Sequence, residues 1–123
     1  SYHVSLYSAN AEIDKIFVNK PELRPYFYED KELDYDNIIM KDLVFSLAEL
    51  YADQFESIFL EKKSLSEEVQ NPWKEYMSNI YRNSSAFRTY MALHQNQYSL
   101  ELRSFLSGIL IERSIKVEFV NPT

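Results

Sequence analysis

A single glycine, Gly108, stands in a chain of 123 residues, and this scarcity constrains the fold more than any motif does. Average usage of about 7% would supply roughly eight or nine. Tight β-hairpins turn through residues at positive φ, which glycine adopts at least cost. An all-β domain of this length would have to fill many such turns with Asn or Asp. Helices joined by short polar connectors carry no such requirement, so the chain is expected to be all-α.

Apolar periodicity places the helices. Leu6, Ile13, Ile16 and Phe17 recur at helical spacing, and the pattern predicts a first helix from about Val4 to Asn19. Pro21 ends it, because proline lacks a donor and pushes Lys20 out of the α region. A short aromatic connector runs from Pro21 to Tyr28, followed by the acidic run Glu29-Asp30-Lys31-Glu32. Asp36 is the expected N-cap of a second helix reaching about Glu61, with Ile39, Leu43, Leu47, Leu50, Tyr51, Phe55, Ile58 and Phe59 as its stripe. Ile38, Met40, Val44 and Phe45 widen that stripe, as expected of a helix with several neighbours.

Two start signals then compete. Ser64-Leu65-Ser66-Glu67 is a capping box, whereas Asn71-Pro72 offers an N-cap followed by proline at the first helical position. The reading adopted is a loose turn over 65–70 and a helix from Pro72 to about Arg82, with Trp73, Tyr76, Met77 and Ile80 facing inward. Asn83-Ser84-Ser85 breaks it and caps the next. Phe87, Met91, His94, Tyr98, Leu102, Phe105 and Ile109 then form one stripe. One long helix would satisfy it; a break near Gln95-Asn96-Gln97 with Ser99 as a fresh N-cap is preferred. Residues 1–110 form a single helical domain on this reading. Residues 111–123 are a tail in which Ile115, Val117 and Phe119 alternate like a short strand or lie loose.

The expected architecture is a mostly antiparallel bundle of four to five helices. An internal echo at an offset of 64 residues relates Phe17–Phe27 to Tyr81–Met91, with Asn19, Arg24 and Tyr26 matching Asn83, Arg88 and Tyr90. If the echo is a duplication, the bundle is a repeated helical hairpin and Arg24 and Arg88 occupy equivalent sites.

Composition narrows the functions. The net charge is −6, and basic residues are dispersed, so the electrostatic term that dominates nucleic-acid affinity is missing. The absence of cysteine removes thiolate catalysis and cysteine-type metal sites, and fits a reducing compartment. No apolar stretch approaches the ~20 residues of a membrane span. The chain begins with Ser1 and not Met, so it is expected to be a fragment or processed product, with a membrane anchor among the segments that could precede it.

The candidate site residues are few. Arg24 and Arg88, each followed two residues on by Tyr26 or Tyr90, offer a guanidinium fork and a hydroxyl to an anion. The competing reading has each arginine fastening a helix connection to an acidic neighbour. Only His3 and His94 exist, and Met91 stands where a Glu-x-x-His metal motif would need its acid, so no metal and no cofactor are expected. His94 reads as a hydrogen-bonded core residue. No serine sits in a nucleophile elbow, and one glycine forbids a phosphate-cradling loop. No catalytic residues are identified, and the chain is read as a non-enzyme. Tyr26, Phe27 and Tyr28 in succession cannot all point inward from a connector, so they are the expected contact surface or pocket rim.

The segment Phe17–Tyr28, Trp73, the block Phe87-Arg88-Thr89-Tyr90 and Tyr98-Ser99 together resemble a family of small uncharacterised bacterial helical domains. Members of that family often carry an N-terminal membrane-spanning helix, so the resemblance implies a tethered domain on the cytoplasmic side. It implies no chemistry. The leading expectation is a regulatory protein-interaction module that self-associates or docks a protein partner, with Arg24, Tyr26, Phe27, Tyr28, Arg88 and Tyr90 as its surface. The alternative is a sensor that binds an anionic or aromatic small molecule between helices.

Overall fold

A computed structural model describes residues 2–109, and all the regular structure among them is helical. Six α-helices follow in order: α1 (Tyr2–Asn19), α2 (Pro25–Tyr28), α3 (Ile38–Leu60), α4 (Glu67–Arg82), α5 (Ser85–His94) and α6 (residues 100–109). Short 3₁₀ turns at Pro21–Leu23, Lys62–Ser64 and Gln95–Gln97 join them. The strand-like tail expected over 111–123 lies outside the described residues. No helix among those described is long and apolar enough to cross a membrane.

α3 is the central element, packed against α1, α4 and α5. Its buried stripe is Val44, Leu47, Ala48, Tyr51, Ala52, Phe55, Ile58 and Phe59, the i, i+3, i+4 pattern of a core-facing helix. Ala48 and Ala52, both fully buried, add no bulk between helices and let neighbours approach. The top of the expected stripe lies elsewhere. Ile38 and Ile39 are 68% and 77% exposed, because no described residue covers that face of the first turn of α3. The cap is also one residue later than expected: Asn37, not Asp36, accepts from the Met40 amide at 3.1 Å.

α4 departs most from its expected bounds. It begins at Glu67, so Pro72 lies inside the helix. Pro72 has no N–H to give to the Glu68 carbonyl, an interior position that ordinarily costs about 3 kcal/mol. Several local contacts compensate. Glu67 and Glu68 sit in the first turn, where acidic charge favours the helix dipole. The Gln70 side-chain amide donates to the carbonyls of Lys62 and Leu65, both at 2.7 Å, and ties the preceding turn to the helix.

The stripe beyond Ser85 is broken, not continuous. α5 starts where the Ser84 hydroxyl accepts from the Phe87 amide at 2.9 Å, and ends at His94. α6 starts afresh with Ser99, whose hydroxyl accepts from the Leu102 amide at 3.2 Å. Glu56 of α3 reaches across to this junction and accepts from the Ser99 amide at 2.6 Å and the Ser99 hydroxyl at 2.8 Å.

Candidate functional site

The aromatic surplus is mostly core, and its rings meet around Tyr51. Tyr51 is fully buried, with Phe27 at 5.3 Å, Phe55 at 5.8 Å and Tyr76 at 6.0 Å between ring centroids. Three hydroxyls converge there. Tyr76 donates to Tyr51 at 3.2 Å, and Tyr28 lies 3.4 Å from each of the other two. A closed ring running from Tyr76 to Tyr51 to Tyr28 and back engages all three O–H donors and leaves only lone pairs facing outward. Burial, and then the Coulombic effect of its neighbours, pushes the Tyr51 phenol far above its ordinary range. Burial also pushes Tyr76 up, and the charge of Asp14 adds to that push.

Above this phenol cluster a pocket of about 440 Å³ opens between α1 and α4. α1 contributes Asn10 and Asp14, which share a face at i, i+4. α4 contributes Glu68, Pro72 and Tyr76 along one row and Val69 with Trp73 along the next, again at intervals of four. Tyr28 of α2 closes one side. Asn10 carries a buried Oδ1 with no hydrogen-bond partner, and such groups are rare enough to call for an explanation.

The sequence-predicted residues scatter over the fold. Tyr26 is 6% exposed and Phe27 fully buried, so two of the three successive rings are core and cannot form a contact surface. The connector folds into a 3₁₀ turn and one turn of α2, and this curl turns both rings inward. Of these three rings Tyr28 lines the pocket between α1 and α4, while Arg88 and Tyr90 line other, separate clefts. Tyr90 is also core, 3% exposed, with its hydroxyl 3.0 Å from that of Tyr98.

The two arginines sit in unrelated surroundings. Arg24 is exposed, its guanidinium stacked 4.3 Å over the Tyr28 ring and 5.8 Å from Phe17. Arg88 is half-buried and pairs with Asp30 at 3.1 Å, while donating to the carbonyls of Tyr81 and Arg82 at the end of α4. Arg88 thus fastens a helix connection, and the internal echo does not extend to equivalent sites. Neither arginine lines the pocket between α1 and α4.

His94 is half-buried, stacked 4.5 Å from the Tyr90 ring, with Nδ1 3.3 Å from Gln97 Nε2. It lines a second cleft of about 420 Å³ with Asp42 and Glu49. Next to Tyr90, Tyr98 donates to Asp53 at 3.3 Å. Burial raises the Asp53 carboxyl above its ordinary range, that hydrogen bond opposing. Among the described residues no group of three or more His, Asp or Glu is placed to hold a metal ion.

The pocket between α1 and α4 was missed by sequence reasoning for a specific reason. Starting α4 at Pro72 assigns Glu68 and Val69 to a loose turn and hides their register with Trp73 and Tyr76. Taking the capping box as the start would have aligned all five residues. Comparison of the chain with protein-family models, with curated proteins and with solved structures finds no match.

Proposed function

We propose that this domain is a non-catalytic binding module that takes a small molecule in the pocket between α1 and α4. The observation that carries this reading is a pocket of about 440 Å³ whose lining combines Val69, Pro72 and the rings of Trp73 and Tyr76 with the polar groups of Asn10, Asp14 and Glu68. That volume lies within the roughly 300–1,000 Å³ of ligand sites. Trp73 is the chain's only tryptophan, so its emission reports on this pocket alone. The expected result is a saturable change in Trp73 emission with part of a metabolite library, and a retained extra mass in native mass spectrometry. Asn10→Leu, which replaces a polar lining group by an apolar one and narrows the pocket, should weaken both while leaving helical content intact. A flat response across the library, with no retained mass, would sink the reading.

A second reading, the interaction module, draws on Tyr35, Ile38 and Ile39 at the head of α3, which are 45%, 68% and 77% exposed. Its surface is then this patch, not the Arg24–Tyr28 segment, and its occupant is a second copy of the chain. The same native spectrum tests it: a dimer that Ile39→Lys dissociates supports it, and a monomer at high concentration removes it. The cytoplasmic membrane tether implied by the family resemblance is a further proposal. Reading the native gene upstream of Ser1 for an apolar span tests it.

A further inference from the structure

We infer that the ligand class of the α1–α4 pocket is an organic cation, a quaternary or substituted ammonium, and this rests on the pocket reading above. The charge that the described residues bring to the pocket is of one sign. Asp14 and Glu68 contribute carboxylates, and no Lys or Arg among the described residues lines it. An anion would enter against both charges, whereas a cation gains from each.

The walls fit the same chemistry. The Trp73 and Tyr76 rings stand 5.8 Å apart between centroids at 58°, two faces of a corner. Aromatic faces attract cations through the ring quadrupole, tryptophan most strongly. Aromatic rings of this fold already hold cations, as Arg24 over Tyr28 at 4.3 Å and Lys31 over Tyr26 at 5.0 Å demonstrate. Tyr28 is engaged by Arg24 and by the Phe17 ring at 5.9 Å, and Tyr76 packs on Tyr51 and Phe55 at 6.0 Å each, so Trp73 is the main ring left for a ligand.

The hydrogen-bonding inventory leans toward acceptors. The carboxylates of Asp14 and Glu68 accept, and the phenols are engaged with one another. The donors are the Asn10 amide and the Trp73 indole. A compact, strongly hydrated ammonium would gain little from two exposed carboxylates in water. An alkylated one is more weakly hydrated and brings apolar surface, which Val69, Pro72 and the rings cover.

The test compares three molecules of one skeleton: choline, its uncharged isostere with carbon in place of nitrogen, and the carboxylate with the same tert-butyl group. Benzyltrimethylammonium serves as a larger cation. Each is titrated against Trp73 emission with the whole chain. The expected order is cation above neutral above anion, with the cations at least about tenfold tighter than the neutral isostere. Asp14→Asn with Glu68→Gln should erase most of that preference; both side chains are exposed, and circular dichroism verifies that the fold survives. Arg24→Gln should leave cation binding unchanged or tighten it, because it removes a positive charge from the neighbouring Tyr28 ring.

Equal or tighter binding of the neutral or anionic isostere overturns the cation assignment and leaves the pocket reading standing. Loss of binding in Arg24→Gln likewise overturns it in favour of an anion. Silence of Trp73 to all four molecules overturns the assignment too. The metabolite library then decides separately whether the pocket binds anything.

Discussion

Asp30 shows how one residue can replace what glycine normally supplies. Its φ of 52° is the only positive value at a non-glycine position among the described residues, and aspartate tolerates that region better than most. The conformation brings its Oδ1 within 2.8 Å of the Ser85 amide and 3.1 Å of Arg88, so the turn is held by the start of α5. Gly108 is the opposite case. It sits inside α6 at no positive φ, and a Cβ built there meets nothing within 4 Å. Its conformational freedom therefore serves no visible purpose. Gly108→Ala should stabilise the domain by about 0.5–1 kcal/mol in urea denaturation; a loss of stability would mean that position 108 has a contact outside the described residues. Burial at this scale was only half legible. A run such as Tyr26-Phe27-Tyr28 says that not all three rings can be inside, but not which one is out.

Helix starts were read correctly at Ser84 and Ser99, one residue early at α3, where Asn37 is the cap, and five residues late at α4. Ser84 and Ser99 each accept from an amide three residues on, and both were visible as capping signals. The start of α4 was signalled at Ser64–Glu67 but passed over for Asn71-Pro72, and its first turn is tied down by Gln70 bonding back to Lys62 and Leu65. Proline inside a helix is costly in isolation, and only the surrounding packing tells that the cost is met. The α5–α6 junction depends on Glu56, which lies 43 residues away in the chain. Glu56→Ala should cost about 1–2 kcal/mol, since it leaves the Ser99 amide without its charged acceptor. Hydrogen exchange should locate the effect: the amides of residues 100–103 should exchange faster while those of α3 change little. Uniform acceleration throughout would show the contact to be global instead of local.

The buried phenols couple the whole molecule to alkaline pH. Burial pushes Tyr51, Tyr76 and Tyr98 well above the ordinary tyrosine range, while in the unfolded chain each ionises near about pH 10. A raised value in the folded state means that the native protein binds protons the unfolded chain has released. The stabilisation from keeping these phenols neutral is complete below about pH 10 and is lost as pH rises above it. Far-ultraviolet dichroism and phenolate absorbance followed together should therefore show the last phenolate rise coinciding with loss of helix. Ionisation of all tyrosines while the helical signal stays intact would contradict the burial of this cluster.

Composition and periodicity by themselves determined that this chain is helical, where most helices lie and which residues cap two of them, because these depend on interactions within a few residues. The same information could not place Ile39 outside, Tyr26 inside or Arg88 against Asp30, because those outcomes depend on which element happens to lie alongside. The candidate pocket belongs wholly to that second kind. Asn10, Tyr28, Glu68 and Trp73 are spread over three helices, and only the packing of α1 and α4 around the Tyr51 cluster sets their charges and rings around one space.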